Sequence, residues 1–338
     1  MLVGVCGAGA IGAYLGVVVS GAGEPVVLLG RPALVEQAPS LTAVDLAGRV
    51  HHPGADLQVT VEPGALSKVD VCLVTVKSRD TAAAARMLRE VLPVSTLVVS
   101  LQNGLHNAQR LRASLACEVV GGMVGFNVRR EGATFTQTTR APLVTGTASP
   151  RHRAVLHRLI ATLKQVGVVV AVREDIDAVL AGKLLLNLNN GVCAVTGLSI
   201  AESLRNRDLR WCFAQLLREG HAVMRAAGLR PASIVGLPPW LIARVLTLPD
   251  AIVVRAARKM VSVDPRARSS TLVDLEAGKP TEIDDLSGEI VRLAASTGRR
   301  ARANEVIVNA VHQLERGARP PAFWSPARLR GAIAQTIG

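Results

Sequence analysis

The first thirty-one residues constrain the fold of this chain more than any other stretch. Residues 1–6 form a short apolar run, residues 7–12 read Gly-Ala-Gly-Ala-Ile-Gly, and a second apolar run extends to Ser20. After a glycine-rich break, a third apolar run covers residues 26–29. This order predicts a strand, a tight glycine turn, a helix and a second strand, which together form a βαβ unit that opens a parallel sheet.

The three glycines of the turn have separate tasks in such a unit. Gly7 permits the tight turn, Gly9 lets the backbone approach a pyrophosphate, and Gly12 lets the helix pack close to the strand. The amides at the start of the helix face the phosphates, where the helix dipole favours negative charge. Because the pattern follows an apolar strand and opens a helix, it predicts a dinucleotide site rather than a turn that serves packing alone. The predicted site is the run Gly7, Ala8, Gly9, Ala10, Ile11 and Gly12.

The end of the second strand indicates which nucleotide is preferred. Sites for NAD place Asp or Glu about 20 residues after the glycines, where the carboxylate holds the ribose hydroxyls. Arg31 stands nineteen residues after Gly12, and no carboxylate occurs between Pro25 and Val35. A guanidinium pairs with a 2′-phosphate that a carboxylate would repel. The sequence therefore favours NADP(H) over NAD, with an arginine on a solvated turn as the alternative.

Composition and charge narrow the class of protein. The 338 residues suffice for two domains with sizeable cores, and the shares of hydrophobic (49%) and charged (19%) residues are those of soluble globular proteins. The net charge of +13 comes from thirty-three Arg and six Lys that are spread along the chain. Because no basic tract or nucleic-acid motif accompanies this charge, we expect no nucleic-acid partner.

The cysteines and the apolar runs bear on the compartment. The five Cys residues show neither CxxC nor Cys/His spacing, so we expect no disulfide framework and no metal site. The apolar N-terminus lacks the basic region of a signal peptide, and no run reaches transmembrane length. We therefore expect a cytoplasmic protein without a membrane association.

Polar residues follow two further predicted strands. Residues 69–76 form a buried parallel strand that ends at Lys77, and residues 96–101 form another that ends just before Asn103. The carboxyl ends of parallel strands line the ligand crevice of an open α/β sheet. Lys77 and Asn103 are therefore candidate ligand-binding residues. The alternatives are a solvated strand end for Lys77 and a turn-forming Asn before Gly104.

The periodicity changes from strand-like to helical near Arg173. Residues 31–52 are predicted to be irregular, whereas from Glu174 a helical period recurs almost to the end of the chain. The predicted fold class is α/β, with an N-terminal Rossmann-type parallel-sheet domain over residues 1–173 and an all-α domain over residues 174–338. Predicted helices of the second domain cover residues 174–200, 203–227, 238–247, 268–276, 281–298, 302–316 and 325–336.

The first helix of the second domain carries a polar stripe among leucines. On a helical wheel Asn187 lies about 40° from Lys183, and Asn190 lies about 20° away on the other side, whereas Asn189 falls well off this face. A Lys in a partly desolvated cleft has a lowered pKa and can donate a proton near neutral pH. The stripe therefore predicts a site around Lys183, with an exposed Lys and two turn-forming Asn residues as the alternative.

Taken together, short motifs along the chain resemble those of the ketopantoate reductase (2-dehydropantoate 2-reductase) family nearly from end to end. The resemblance implies a cleft between the two domains for NADPH and a 2-keto acid. The bundled apolar helices of the second half are compatible with a homodimer. The motifs are the glycine run at residues 7–12, Lys77, Leu101-Gln102-Asn103-Gly104, Lys183-Leu184 with Asn187, Ser269-Ser270-Thr271-Leu272, and Pro280-Thr281-Glu282-Ile283-Asp284.

The resemblance also implies where the cofactor lies. Arg31 would meet the 2′-phosphate of NADPH. Lys77 and Asn103 would lie along the cofactor near the reacting end, where Asn103 would also face the substrate.

The implied catalytic residues lie in the second domain. Lys183 would protonate the carbonyl oxygen as hydride reaches C2. Glu282 would hold the cofactor or the substrate and help to place Lys183. Asn187 and Ser270 would bind the hydroxyl and the carboxylate of the substrate.

One position departs from the family pattern, which usually repeats Asn four residues after the first. That position is Gly191 here, and Asn190 either takes its place or shapes a different pocket. The implied function is NADPH-dependent reduction of a 2-keto acid, with ketopantoate as the leading substrate and D-pantoate as the product. A reductase or dehydrogenase for another 2-keto or 2-hydroxy acid on the same scaffold and a non-catalytic NADP sensor are the alternatives.

Overall fold

The computed structural model of the protein describes residues 1–233, 236–250, 253, 268–317 and 320–337. The chain divides into two compact units, Met1–Ile176 and Asp177–Gly338. The first is an α/β unit and the second is built of helices, which confirms the predicted fold class.

The first unit contains two sheets and the helices that cover them. Its helices are α1 (Ala10–Gly21), α2 (Pro32–Glu36), α3 (Thr81–Val91), α4 (Asn107–Arg112) and α5 (Arg153–Gln165). Its strands are β1 (Val3–Cys6), β2 (Val26–Leu29), β3 (Thr42–Val44), β4 (Val50–His51), β5 (Leu57–Thr60), β6 (Val71–Val74), β7 (Leu97–Ser100), β8 (Glu118–Val124), β9 (Val128–Glu131), β10 (Thr134–Gln137), β11 (Leu143–Thr145) and β12 (Val170–Val172).

The larger sheet has eight strands in the order β12-β11-β8-β7-β6-β1-β2-β5. The strands from β8 to β5 are parallel to one another, whereas β11 runs antiparallel to β8. All residues of β1, β2, β6 and β7 are buried, as expected for parallel strands covered on both faces. The order reverses at β1, which has β2 on one side and β6 on the other, and ligands bind at such a switch point.

The smaller sheet, in the order β4-β3-β10-β9, contradicts the prediction that residues 31–52 are irregular. Strands β3 and β4 have only three and two residues, which is too short for an alternating pattern to appear. Strand β3 pairs in parallel with β10, about ninety residues away, and a side-chain contact of 3.0 Å joins Thr42 Oγ1 to Thr134 Oγ1. The sheet thus depends on pairing between distant segments.

The second unit is a bundle of helices. Its described helices are α6 (Ile176–Thr196), α7 (Ile200–Arg205), α8 (Arg207–Ala226), α9 (Pro239–Val245), α10 (Ser270–Glu276), α11 (Ser287–Ser296), α12 (Arg302–Arg316) and α13 (Pro326–Ile337).

Three predicted helices are interrupted in the structure, and the one predicted over residues 203–227 is broken at Asn206, the N-cap residue of α8. The helix predicted over residues 174–200 ends at Thr196, because Gly197 adopts a φ of +71° and Ser199 starts α7 with a capping box. The helix predicted over residues 281–298 is a 3₁₀ turn at Ile283–Asp285 followed by α11.

Helix α6 is long and apolar enough to cross a membrane, so the expectation that no run reaches this length is wrong. However, 72% of its most apolar window is buried inside the protein. A Cβ atom built on Gly220 of α8 would lie 2.6 Å from Leu185 Cδ2, so α8 approaches α6 closely. Core helices pass the same length and composition test, and this helix is therefore weak evidence for a membrane span.

Candidate active site

The glycine turn after β1 has the geometry that its sequence predicts. Gly7 has a φ of +106°, and a Cβ atom there would lie 2.6 Å from the backbone nitrogen of Val76. A Cβ atom on Gly12 would lie 2.2 Å from the carbonyl oxygen of Gly7. A Cβ atom on Gly9 would have nothing within 4 Å. Two glycines therefore permit close packing, and the third leaves the backbone open to a ligand.

The start of α1 fits an anionic group. Its N-cap residue is Gly9, whose lack of a side chain leaves the first amides without a side-chain cap, and its first turn has no acidic residue. The first N–H groups of a helix lack partners within the helix, and the helix dipole favours negative charge there. The pyrophosphate of a dinucleotide matches these requirements.

Arg31 lies next to this turn in the sheet. The backbone nitrogens of Gly7 and Ala8 donate to the carbonyl oxygen of Leu29 at 3.3 and 3.1 Å. A Cβ atom on Gly30 would lie 3.0 Å from the Cβ of Ala8, so the end of β2 contacts the turn. Arg31 follows directly, is exposed, and is the N-cap residue of α2.

Lys77 and Asn103 follow neighbouring strands of the same sheet. Both side chains are half-buried, and Ser78 Oγ donates to the carbonyl oxygen of Asn103 at 2.6 Å, which joins the two loops. Thr75 Oγ1 donates to the carbonyl oxygen of Gly7 at 2.6 Å, which joins the end of β6 to the glycine turn. The structure therefore brings the candidate residues of the first unit to adjoining strand ends.

In the second unit, the polar stripe predicted on α6 is half-buried. Lys183, Asn187 and Asn190 have intermediate exposure, whereas Leu184, Leu185 and Leu188 are buried. Burial lowers the pKa of Lys183 to about 8, and the nearby carboxylate of Glu282 acts in the opposite direction. Glu282 is 9% exposed and precedes the 3₁₀ turn. The arrangement provides an amine that releases a proton near neutral pH, beside a carboxylate that favours its charged form.

The two serines at the start of α10 have different environments. Ser270, the predicted substrate ligand, is exposed at the first position of α10. Ser269 is 2% exposed, and its Oγ accepts a hydrogen bond of 3.2 Å from the amide of Leu272 and lies 3.4 Å from the carbonyl oxygen of Asn190. Ser269 therefore links α10 to the polar stripe, a role that its position as a helix N-cap could have indicated.

The other two positions that the sequence singles out on α6 have packing roles. The Nδ2 atom of Asn189 donates to Ser203 Oγ at 3.1 Å, so this buried amide ties α6 to α7. A Cβ atom on Gly191 would lie 2.4 Å from Ile307 Cγ2 and 3.2 Å from Ile283 Cδ1. Gly191 therefore lies where α12 packs on α6, and a larger residue requires that Ile307 move.

Metal-dependent and thiol-based catalysis find no support in the described residues. Among the described residues, no three His, Cys, Asp or Glu side chains form a group that could hold a metal ion. The five cysteines are buried free thiols. Burial raises the pKa of Cys6 to about 12 and the pKa of Cys193 to about 11, so both stay protonated at neutral pH.

Comparison with known families agrees with the geometry of both units. The profile described as "Ketopantoate reductase PanE/ApbA" matches residues 3–150, and the profile described as "Ketopantoate reductase PanE/ApbA C terminal" matches residues 175–315. The chain belongs to the ketopantoate reductase family. The family consists of pyridine nucleotide-dependent oxidoreductases, and the resemblance of the sequence motifs is confirmed.

Two ketopantoate reductases match over more than nine tenths of the chain. The 2-dehydropantoate 2-reductase of Archaeoglobus fulgidus is 27% identical over 319 residues, which cover 93% of this chain and 97% of that protein. The crystal structure of a PanE/ApbA family ketopantoate reductase from Ralstonia eutropha JMP134 has 29% identity and a TM-score of 0.76, and the match covers 100% of each chain.

A dehydrogenase of another substrate shares the fold. The structure of D-mandelate dehydrogenase with NADH and anilino(oxo)acetate has a TM-score of 0.76 and 16% identity, over 93% of this chain and 98% of that chain. At this identity the similarity is evidence for the fold alone.

Proposed function

We propose that this member of the ketopantoate reductase family reduces 2-dehydropantoate to D-pantoate with NADPH, and that Lys183 supplies the proton. The observation that carries this proposal is the half-buried amine of Lys183, whose pKa burial lowers to about 8, in the electrostatic range of Glu282. The names of relatives that match the chain from end to end give it further support.

The first unit would hold the cofactor. The amides of residues 7–12 would bind the pyrophosphate, and Arg31 would pair with the 2′-phosphate, since the stretch around it has no carboxylate to repel that group. Lys77 and Asn103 would contact the cofactor near its reacting end. Bound NADPH supplies a hydride from C4 of the nicotinamide.

The second unit would place the proton and the substrate. At pH 7 a Lys with a pKa of about 8 is roughly nine tenths protonated, so most molecules are ready to donate. The ammonium of Lys183 would donate to the carbonyl oxygen, where negative charge develops as hydride reaches C2. Glu282 would keep that ammonium charged and oriented. Asn187, Asn190 and Ser270 would bind the hydroxyl and the carboxylate of the substrate.

The test is NADPH oxidation, followed by absorbance, with purified protein and a panel of 2-keto acids. We expect turnover on 2-dehydropantoate, with NADH a poorer cofactor. Lys183→Ala should lower kcat by roughly 10²–10⁴-fold and leave the Kd for NADPH nearly unchanged. Loss of NADPH affinity with an unchanged kcat would contradict the role of Lys183.

A second candidate is reduction of another 2-keto acid, or oxidation of a 2-hydroxy acid, on the same scaffold. The packing of Gly191 against Ile307 favours it, because this chain has no carboxamide where the family pattern has its second Asn. Turnover on a different acid of the panel would select this candidate. Tight NADPH binding without any turnover would instead select an NADP sensor.

The assembly and the location of the protein stay predictions. We expect a homodimer in the cytoplasm, and the mass of the purified protein by light scattering would test the assembly.

A further inference from the structure

A group of buried polar side chains fills the space between the ends of β6 and β7. Each of these side chains is at most 4% exposed. We name the group the strand-end cluster. Its members are Ser78, Thr81, Ser100, Gln102 and Asn107.

Half of the cluster centres on the amide of Gln102. Its Nε2 atom donates to the carbonyl oxygen of Val76 at 3.1 Å and to Thr81 Oγ1 at 2.7 Å. Its Oε1 atom accepts from Ser100 Oγ at 3.1 Å. Gln102 follows β7, whereas Val76 and Thr81 follow β6, so this amide joins the two strand ends.

The other half centres on the amide of Asn107, the first residue of α4. Its Oδ1 atom accepts from Thr81 Oγ1 at 2.9 Å, and its Nδ2 atom donates to Ser78 Oγ at 2.8 Å. Both Asn107 Nδ2 and Ser78 Oγ donate to the carbonyl oxygen of Asn103. Two donors therefore fix the orientation of the peptide that leaves Asn103, and Gly104 continues the turn with a φ of +94°.

The hydrogen bonds of the cluster have one consistent direction. Protons are donated from Ser100 to Gln102, from Gln102 to Thr81, and onward through Asn107 and Ser78 to the carbonyl oxygen of Asn103. No member has a titratable side chain, so the pattern is independent of pH in the working range. A satisfied buried network makes a loop rigid, because any rearrangement leaves a buried donor or acceptor unpaired.

We propose that Thr81 and Asn107 are positioning residues for the reduction. They hold the loops of Lys77 and Asn103 at a fixed separation, so that both side chains meet the nicotinamide end of the cofactor together. The proposal rests on the proposed function, which places the nicotinamide end of the cofactor beside Lys77 and Asn103. Neither residue touches the reacting atoms, and each acts through the Asn103 loop.

The chain offers a matched set of variants. Thr81→Val removes the hydroxyl at nearly constant volume, whereas Thr81→Ser keeps it. Thr96→Val is the control, because Thr96 is 0% exposed and its Oγ1 donates to the carbonyl oxygen of Val69 at 2.8 Å. Thr96 precedes β7, so this second buried hydroxyl lies at the amino end of that strand, away from the strand-end cluster.

We expect both Thr81→Val and Thr96→Val to lower Tm, and Thr81→Val to lower it more, because the hydroxyl of Thr81 makes two hydrogen bonds and that of Thr96 makes one. Thr81→Val should also lower kcat on the accepted keto acid by roughly 10–100-fold, since small misplacements at a reacting centre cost this much. Thr81→Ser and Thr96→Val should keep the wild-type kcat. A wild-type kcat in Thr81→Val, or an equal loss in Thr96→Val, would overturn the positioning role.

A binding measurement separates this proposal from the proposed function. Thr81→Val should weaken NADPH binding roughly fivefold or more, as a lost hydrogen bond would, and leave 2′,5′-ADP, which lacks the nicotinamide, unchanged. If the wild type binds NADPH but reduces no keto acid, the proposed function fails while this comparison still tests the cluster. Equal affinities of wild type and Thr81→Val for NADPH would overturn the positioning role, and a wild type that binds neither nucleotide would overturn both proposals.

Discussion

The pH dependence of turnover tests the assignment of Lys183 most directly. Burial lowers the pKa of Lys183 from 10.5 to about 8, which corresponds to a cost of about 3 kcal/mol for the charged form in the folded protein. The general acid must be protonated before the reaction. We therefore expect kcat/KM for reduction to be constant below about pH 7 and to fall as the pH rises through about 8.

Glu282 determines where this decline begins. Its carboxylate raises the pKa of Lys183 against the effect of burial. Glu282→Gln keeps the size of the side chain and removes the charge, so the alkaline limb of kcat/KM should move to lower pH. The control is Glu276→Gln, because the carboxylate of Glu276 lies on the same unit, is partly exposed and pairs with Arg268. This variant should leave the alkaline limb of kcat/KM at the same pH.

The sign for stability is opposite to that for activity. The folded pKa of Lys183 lies below the unfolded value, so charging the buried amine lowers the free energy of unfolding. This loss of stability is complete below about pH 8 and disappears as the pH rises toward 10.5. The Lys183→Met variant should therefore be more stable than wild type at pH 7, and the difference should shrink by pH 10 in urea unfolding.

An alkaline limb of kcat/KM that is identical in wild type and Glu282→Gln would refute the electrostatic coupling between Glu282 and Lys183.

Three further predictions concern other parts of the chain. Arg31→Ala should raise KM for NADPH by roughly 10–100-fold, the value of a charged hydrogen-bonded pair, and change KM for NADH little; equal losses for both cofactors would contradict contact with the 2′-phosphate. Gly191→Asn should destabilise the protein by about 1–3 kcal/mol through overpacking against Ile307, measured by urea unfolding, and Ile307→Ala in the same chain should relieve part of that strain. Burial raises the pKa of Glu118, but hydrogen bonds from Ser149 and His152 outweigh it and lower that pKa below 4.5. The Glu118 carboxylate should therefore add to the free energy of unfolding above pH 4.5, and this contribution should be lost as the pH falls through the folded pKa. In urea unfolding, Glu118→Gln should make the free energy of unfolding decline less at acid pH.

Local patterns predicted much of the first unit. The glycine turn depends on neighbouring residues, and Gly7 and Gly12 have the conformation and the close contacts that the pattern predicts. The second sheet could not be predicted in this way, because β3 pairs with β10 and neither short strand carries a period of its own. The strand-end cluster could not be predicted either, because its members also come together only through pairing of separate strands. Ser, Thr and Asn after a strand predict turns and caps, and only the sheet brings Gln102 to Thr81.

The departure at Gly191 shows how packing changes the interpretation of a motif. From the sequence alone, a missing carboxamide concerns the substrate pocket. In the structure, a side chain at residue 191 would collide with Ile307, so the glycine and the isoleucine form a matched pair between α6 and α12. Restoring the family residue by Gly191→Asn alone therefore perturbs packing before it adds a ligand for substrate. Only the double variant with Ile307→Ala separates the two effects: a gain of turnover on 2-dehydropantoate there, and not in Ile307→Ala alone, would assign position 191 to substrate choice.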